Sequence, residues 1–515
     1  MLPELHRRDA FADDLSATAT AWMDGQWDEA AALLRSPARD ARDAREEGAH
    51  VAHSGQHHVR ATAWYALGLL MRGAPGDNER ACSALGGVLD AQFDAPATVY
   101  HGTFRRTTEE PDLPAPPAVP TVWRDYDPNW REFIGTILVL ILADYETTLP
   151  APLVARITRA LRLATEGAFA RAVPAAYTNI ALMSAFLLCD SGERFGETAW
   201  QVAGAALAVA VTRLFRAHDT FGEYNSPTYY GVDLFALALW RSDLAAPMLR
   251  EAGAAMEADL WRDIARFYHA GMRNLCGPFD RAYGMDMTRY AALVGLWTWA
   301  AVGREAAAFP DPARFFDHEG DFCFGPCIAR VGAVVPEDVL PHLRAFAGER
   351  QVERIITASP PRIATAWLSE RVMLGAEEGR GEHWNGTQFH PATAHWVCPD
   401  GSVGWLRVRH TVPLDARAST GRLSVTCPVP GDVVAVEIVA AGVTAAAITL
   451  REWHLPGIVI AVETNAPVPI VTTNGDTLTV QYVFVPDADA ALQPARWDFV
   501  FPVSGADVAP PRATR

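Results

Sequence analysis

Apolar residues recur three and four apart through most of the first part of the chain, in Ala19–Leu34, Val59–Met71, Trp130–Tyr145, Pro152–Ala168, Tyr177–Leu188, Thr198–Arg216, Pro227–Trp240, Ala245–His269 and Thr288–Val302. That period predicts helices, and their Ala content suits close helix-on-helix packing. Many helices joined by short linkers, without a repeat of fixed length, predict an (α/α) toroid of helical hairpins over residues 1–315. A Pro-rich arm near 92–127 (Pro111, Pro114, Pro116, Pro117, Pro120) interrupts it. Near Pro310 the pattern changes to short β-branched and aromatic runs punctuated by Gly, Pro, Asn and Asp. The runs are Ile328–Val335, Val352–Ala358, Ala364–Met373, Ala394–Cys398, Val403–His410, Arg422–Val429, Val433–Ala440, Ala446–Trp453, Gly457–Val462, Thr477–Val485 and Arg496–Val503. They predict an antiparallel β-sandwich domain of about ten strands over 316–515. The fold class expected is therefore multidomain α and β, a helical toroid followed by a sandwich.

Composition narrows the partners. Half of the 515 residues are hydrophobic and the net charge is −17, a balance that argues against nucleic acid or an anionic membrane surface. It leaves room for an acidic sugar in a locally basic cleft. No run reaches the length of a membrane span, and the charged start of the chain has no apolar signal segment. Seven cysteines at scattered spacing fit reduced thiols, so a cytoplasmic protein is expected. A homodimer is compatible with all of this.

Four clusters have the texture of a site. Trp123, Arg124, Tyr126 and Trp130 interleave aromatic faces with charge, which suits a pyranose ring and its substituents. Asn179 follows Tyr177 at the head of an apolar helix, where an amide either caps the helix or faces a ligand. Glu223, Tyr224, Asn225, Tyr229 and Tyr230 gather where another apolar helix begins, with Ser226 read as its N-cap and Pro227 as its first residue. A phenol in that first turn would sit against the positive end of the helix dipole. The loop Cys276–Gly284 offers Arg281 and Tyr283. In the second domain, His383, Trp384 and His390, with His395 beyond, read as a loop contributing to a shared cleft rather than as a metal site, because no ligand spacing accompanies them.

The layout, together with Glu-x-x-Ser-Pro-x-Tyr at Glu223–Tyr229, resembles the heparinase II/III-like polysaccharide lyases. The resemblance implies β-elimination at a 4-linked uronic acid, without cofactor or metal, on an oligosaccharide or polysaccharide partner. It implies Tyr229 as base and Asn179 as the amide on the substrate carboxylate. Arg281 and His383 are the further catalytic candidates, as groups that could hold the carboxylate. This chain has Tyr230 where the family usually has His after the base, and it lacks the family's His-x-His-x-Asp run. Two rival readings stand beside it. One is an inverting glycoside hydrolase on the same toroid, drawing paired carboxyls from Asp127, Glu132, Glu223 and Asp280. The other is a carbohydrate-binding protein without turnover.

Overall fold

The computed structural model describes residues 9–37, 55–114, 118–381, 388–428, 433–484 and 493–503. Contacts divide the chain into two units, one of residues 1–223, 227–263 and 287–341, the other of 224–226, 264–286 and 342–515.

The first unit carries α1 (Ala10–Asp24), a small three-stranded sheet β1 (Trp27–Asp28), β2 (Leu33–Arg35) and β3 (His57–His58), then α2 (Val59–Arg72), α3 (Asp77–Asp90), α4 (Trp130–Tyr145), α5 (Ala151–Arg171), α6 (Thr178–Phe195), α7 (Thr198–Arg216), α8 (Tyr229–Arg241), α9 (Pro247–Phe267, whose last turn belongs to the second unit), α10 (Leu293–Val302) and α11 (Gly325–Val331). The expected helix over Ala19–Leu34 stops at Asp24. Past Gly25, the Asp28 carboxylate accepts the Ala30 and Ala31 amides and turns the chain into a hairpin.

Two kinds of helix build the unit. Helices α4, α6, α8 and α10 are buried nearly all round; α5 and α7 bury a single stripe, in α7 Trp200, Gly204, Ala208, Val211 and Phe215. The fully buried helices neighbour one another in the order α2, α4, α6, α8, α10, and α1 and α11 close the circle back to α2. Helices α3, α5, α7 and α9 lie outside them. Small residues permit the close approaches: Gly204 of α7 lies on Ala185 and Cys189 of α6, and Gly253 of α9 on Trp240 of α8. By length and hydropathy α7 does reach the range of a membrane span, contrary to the sequence expectation, yet its striped face packs on α6.

The inner helices run parallel, as contacts between their first turns establish. Arg60 of α2 lies over Trp130 and Phe133 of α4. Asn129, before α4, donates to Tyr177, before α6. Glu223, ahead of α8, accepts from Asn179 of α6, and the Val294 amide of α10 donates to the Pro227 carbonyl. Five helix N-termini thus open on one rim.

The second unit contains β4 (Tyr268–His269) and β5 (Asn274–Leu275), the short helix α12 (Leu340–Arg344, just across the unit boundary at its start), and two antiparallel sheets. The larger sheet is formed by β6 (Glu349–Ala358), β7 (Pro361–Ser369), β8 (Val372–Glu378), β9 (Ala392–Val397), β10 (Val403–His410), β13 (Val433–Val439), β16 (Ile470–Asn474) and β17 (Thr477–Val483). Its order is β16-β17-β13-β10-β9-β8-β7-β6. The smaller is formed by β11 (Asp415–Ser419), β12 (Arg422–Cys427), β14 (Glu452–Leu455), β15 (Ile458–Thr464) and β18 (Ala495–Val500), in the order β11-β12-β18-β15-β14. Alternating inward residues of both sheets, among them Trp396, Leu406, Leu423, Val436, Trp453, Val480 and Trp497, form one core. The run Ile328–Val335, read as strand from its β-branched residues, instead begins inside α11, which Pro326 opens in its first turn.

Candidate functional site

The rim of the helical ring collects polar groups that the interior of such a bundle otherwise excludes. At the head of α6, the Asn179 amide donates to the Glu223 carboxylate at 2.7 Å, and the Thr178 hydroxyl reaches the same oxygen at 3.4 Å. Helix α8 begins at Tyr229, two residues later than the sequence suggested. Thr228 precedes it, and the Ser226 hydroxyl is taken up by the Arg281 carbonyl rather than capping the helix. Tyr229 is partly exposed. Tyr230 is fully buried, its hydroxyl 2.8 Å from the Thr220 hydroxyl and 3.3 Å from the Asp263 carboxylate. The expectation that Tyr230 lines the substrate is corrected accordingly: helical geometry turns consecutive residues about 100° apart, so only one of the pair faces outward.

One turn beyond Tyr229 stands Asp233, fully buried, with neither carboxyl oxygen hydrogen-bonded among the described residues. Burial and then the charge of Glu223 push its pKa well above the ordinary carboxyl value, so it holds its proton. Glu132, at the head of α4, is buried as well; it accepts the Ser184 hydroxyl at 2.9 Å, and burial raises its pKa.

On the α4 side of the rim, Asn129 links two groups. Its amide donates to the Tyr177 phenol at 2.8 Å and its oxygen accepts Arg171 at 2.7 Å, while the Arg171 guanidinium lies 5.8 Å from the Tyr177 ring centroid. The carboxyl of Asp127 accepts the Asn129 backbone N–H at 2.8 Å. Burial raises its pKa although Arg60, Arg106 and Arg171 all act on it in the opposite direction. Trp130 is buried beneath Arg60, and Tyr126 is buried too. Burial therefore corrects both to packing groups. Trp123 is the exposed aromatic of this stretch, 52% accessible and held at φ +69°. That conformation is costly for a bulky residue, and Arg106 supports it by donating to the Trp123 and Arg124 carbonyls. Arg124 itself forms an exposed pair with Asp125.

The remaining candidates belong to the second unit. Tyr224 is buried there; its carbonyl accepts the Asp280 backbone N–H and its own backbone N–H donates to the Asp280 carboxylate. Asn225, at φ +50°, donates both amide hydrogens to the Cys276 and Pro278 carbonyls. Burial removes Tyr224 from the surface and the Asn225 donors are spent on fixing the loop, which corrects their reading as substrate-binding residues: a donor committed to a buried carbonyl is not available to a ligand. Arg281 donates to Gln388 at 3.1 Å, and Tyr283 is partly exposed in the same loop. His390 is buried with its Nε2 3.5 Å from Arg407, and His395 Nε2–H donates to the Met285 carbonyl; burial keeps both neutral, His395 with its pKa lowered to about 4. His390 is thereby corrected from ligand group to core. His383 and Trp384 lie outside the described residues. Asp280 is tied to Arg380 and Arg362. Among the described residues no cluster of three His, Cys, Asp or Glu could hold a metal ion.

Arg60, Arg171 and Asp233 were not picked out in the sequence, and Tyr177 was noted only as the neighbour of Asn179. Arg171 and Tyr177 had one visible signal, a cation closing a helix six residues before an aromatic at the next helix head. The others are single residues inside apolar helices.

The protein is thus defined by a ring of parallel inner helices with a polar rim, followed by a two-sheet antiparallel sandwich. Residues 13–333 match the family described as Domain of unknown function (DUF8769), and the chain belongs to that family; residues 349–480 match Domain of unknown function (DUF8770). No curated protein matches. Among solved structures the chain is similar to heparinase III, with a TM-score of 0.46 and 10% identity over 98% of this chain and 87% of that one. It is also similar to the Streptomyces coelicolor A3 chondroitin AC lyase, with a TM-score of 0.41 and 12% identity over 96% of this chain and 80% of that one. Endoglucanase CelQ from Clostridium thermocellum, solved with cellotriose, gives a TM-score of 0.26 and 9% identity over 96% of this chain and 92% of that one. At such scores and identities nothing about substrate passes from these proteins to this one.

Proposed function

We propose that the rim of the helical ring binds a uronate-containing oligosaccharide and that the protein cleaves a 4-linked bond in it by β-elimination, with Tyr229 as the base. The observation that carries this reading is a partly exposed tyrosine at the first position of α8, the helix next to α6, whose Asn179 amide already holds a carboxylate. Glu223 stands there as the chemical equivalent of the uronate carboxyl group. When substrate displaces it, Asn179 donates to the substrate carboxylate and stabilises the charge that spreads onto it as the C5 proton leaves. Tyr229 takes that proton, the electron pair forms the C4–C5 double bond, and the bond to the leaving oxygen breaks. The phenol then returns a proton to that oxygen. A tyrosine titrates near 10 in water, and the N-terminus of α8 favours its phenolate. Trp123 offers an exposed ring face to a neighbouring sugar. None of the seven cysteines forms a disulfide, which supports a reducing compartment such as the cytoplasm.

A second reading has its own observation. Glu223 and Asp233 are electrostatically coupled carboxyls, one charged and hydrogen-bonded and the other holding its proton, the division of labour that acid–base hydrolysis uses. Products separate the two readings. Incubation with uronate oligosaccharides is expected to yield an unsaturated sugar absorbing in the ultraviolet. Saturated reducing ends without that absorbance, lost in Glu223→Gln and kept in Tyr229→Phe, would overturn the elimination in favour of hydrolysis.

A further inference from the structure

Two arginines at the rim have no carboxylate partner within salt-bridge distance among the described residues, in a chain with 61 acidic residues against 44 basic ones. Arg171 closes α5 and gives one N–H to the Asn129 oxygen. Arg60, in the first turn of α2, makes no hydrogen bond among the described residues. Its guanidinium rests between aromatic rings, 4.8 Å from the Trp64 centroid, 5.2 Å from Trp130 and 4.9 Å from Phe133. The two therefore bracket one dipeptide, Asn129–Trp130, at the start of α4, and both act on the same carboxyl, Asp127. Both are half-buried, neither hidden nor fully bathed in solvent.

A guanidinium stacked on rings, or held by one N–H, keeps its other N–H groups in a fixed plane that matches the two oxygens of a carboxylate or the face of a sulfate. Elsewhere in this chain such groups are used up: Arg72 binds Asp24 and Asp77, Arg241 binds Glu257, and Arg407 binds Glu437. The carboxyls that feel the two guanidiniums at longer range, Asp127, Glu132 and Asp321, are all held toward the neutral form by burial, so the partly desolvated cations lack a full counter-charge and an anion supplied from outside completes the arrangement. Tyr177 connects this region to the proposed catalytic one: its phenol is held by Asn129, and it feels the charge of Glu223.

We infer that Arg60 and Arg171 form an oxyanion subsite which takes the carboxylate or sulfate of the sugar next to the one bound at Tyr229, and so require a substrate with charge on two consecutive residues. The assignment of the neighbouring sugar rests on the proposed function; the anion subsite itself does not.

The experiment is calorimetric binding by the full chain of three matched oligosaccharides: one of uronates, one with its carboxyl groups reduced to alcohols, and one of neutral sugars bearing sulfates. Tyr229→Phe serves as the background, so that turnover does not interfere. Arg171→Gln and Arg60→Gln are each expected to weaken binding of the charged ligand about tenfold or more, the worth of one charge-assisted hydrogen bond. Binding of the reduced ligand is expected to stay unchanged, and the salt dependence of binding to become shallower. The uronate and sulfated arms identify which oxyanion the subsite takes. Arg171→Lys is expected to recover part of the loss, which a purely structural role would not allow. Because Arg60 also packs on three rings, its variant is read only alongside an unchanged melting temperature, and Arg171→Gln decides alone if that temperature falls. Equal affinity of the unsubstituted protein for charged and reduced ligands, or equal losses on both in Arg171→Gln, overturns the subsite. Charge-dependent binding through Arg171 without any unsaturated product in the unsubstituted protein sinks the elimination and leaves the subsite standing.

Discussion

The sandwich unit and the rim of the helical ring both bury charge, but they treat it differently. In the sandwich unit, buried charges are matched: Arg362 meets Glu377 at 2.8 Å, Arg380 meets Asp280 at 2.5 Å, and Arg407 meets Glu437 at 2.6 Å. At the rim of the ring, among the described residues, Asp233 is buried with no hydrogen-bond partner on its carboxyl, Asp127 keeps a raised pKa among three arginines, and Arg60 and Arg171 have no carboxylate within salt-bridge distance. Matched buried pairs specify a structure and are poor at chemistry, since each partner's charge is already neutralised. Unmatched groups weaken the fold locally and hold interaction free energy in reserve for a ligand or a proton, which is why perturbed titratable groups gather at functional sites.

The largest test of this contrast is Tyr229→Phe. The ring and its packing remain and only the phenolic oxygen is lost, so elimination should fall by at least ~10²–10⁴-fold with the melting temperature unchanged. Retention of a substantial fraction of kcat would remove Tyr229 from the role of base. In the sandwich the expected outcome is reversed. Glu377→Ala leaves the buried Arg362 and Arg380 with Asp280 alone to balance both charges, and chemical denaturation should report a loss of roughly 3–5 kcal/mol. A loss below about 1 kcal/mol, the level of an exposed pair, would show that the network is not buried in solution.

A smaller effect probes the ring itself. Gly231 of α8 lies so close to Leu293 and Val294 of α10 that an added Cβ would overlap the Leu293 backbone, and Trp297 donates to the Gly231 carbonyl at 2.8 Å. Gly231→Ala should therefore destabilise by about 1–3 kcal/mol, as overpacking does, and should impair activity by displacing Tyr229. A neutral outcome in thermal unfolding would mean that α8 and α10 are further apart than described.

The smallest effect is one of pH. The folded-state pKa of Asp233 lies above its unfolded value, so the folded protein binds this proton more tightly than the unfolded chain. The stabilisation is complete below the unfolded value, near pH 4, and is lost as pH rises from there toward the raised folded value. Asp233→Asn abolishes that dependence. Its melting temperature relative to the unsubstituted protein should increase between pH 5 and pH 8, by a few degrees at most; a constant difference would mean that Asp233 does not titrate between the two states.

Helix and strand identity was legible wherever burial follows period. Trp130–Tyr145, Thr198–Arg216 and Val403–His410 begin and end where the apolar pattern does. Local chemistry also marked the neighbourhood of Tyr229 and Asn179, because polar residues at the head of an apolar helix are visible in one dimension. Failures came where a few residues overrode the period: Gly25 and Asp28 turned a helix into a hairpin, and Pro326 turned an apparent strand into a helix.

What the sequence by itself determined is the succession of helices and strands, since hydrophobic spacing acts within a few residues and is written along the chain. Which side chains share the rim was decided by tertiary structure alone. Arg60, Asn129, Arg171 and Tyr177 lie on or beside four different helices, and nothing in their spacing announces that the parallel packing of α2, α4 and α6 brings their heads together. Tyr224, Asn225 and Tyr230 show the converse. Their residue types suited a ligand, but packing encloses Tyr224 completely and commits the Asn225 amide to two backbone carbonyls and the Tyr230 hydroxyl to Thr220. A hydrogen-bonding group serves the fold or a ligand according to what encloses it, and enclosure is a property of the packed chain.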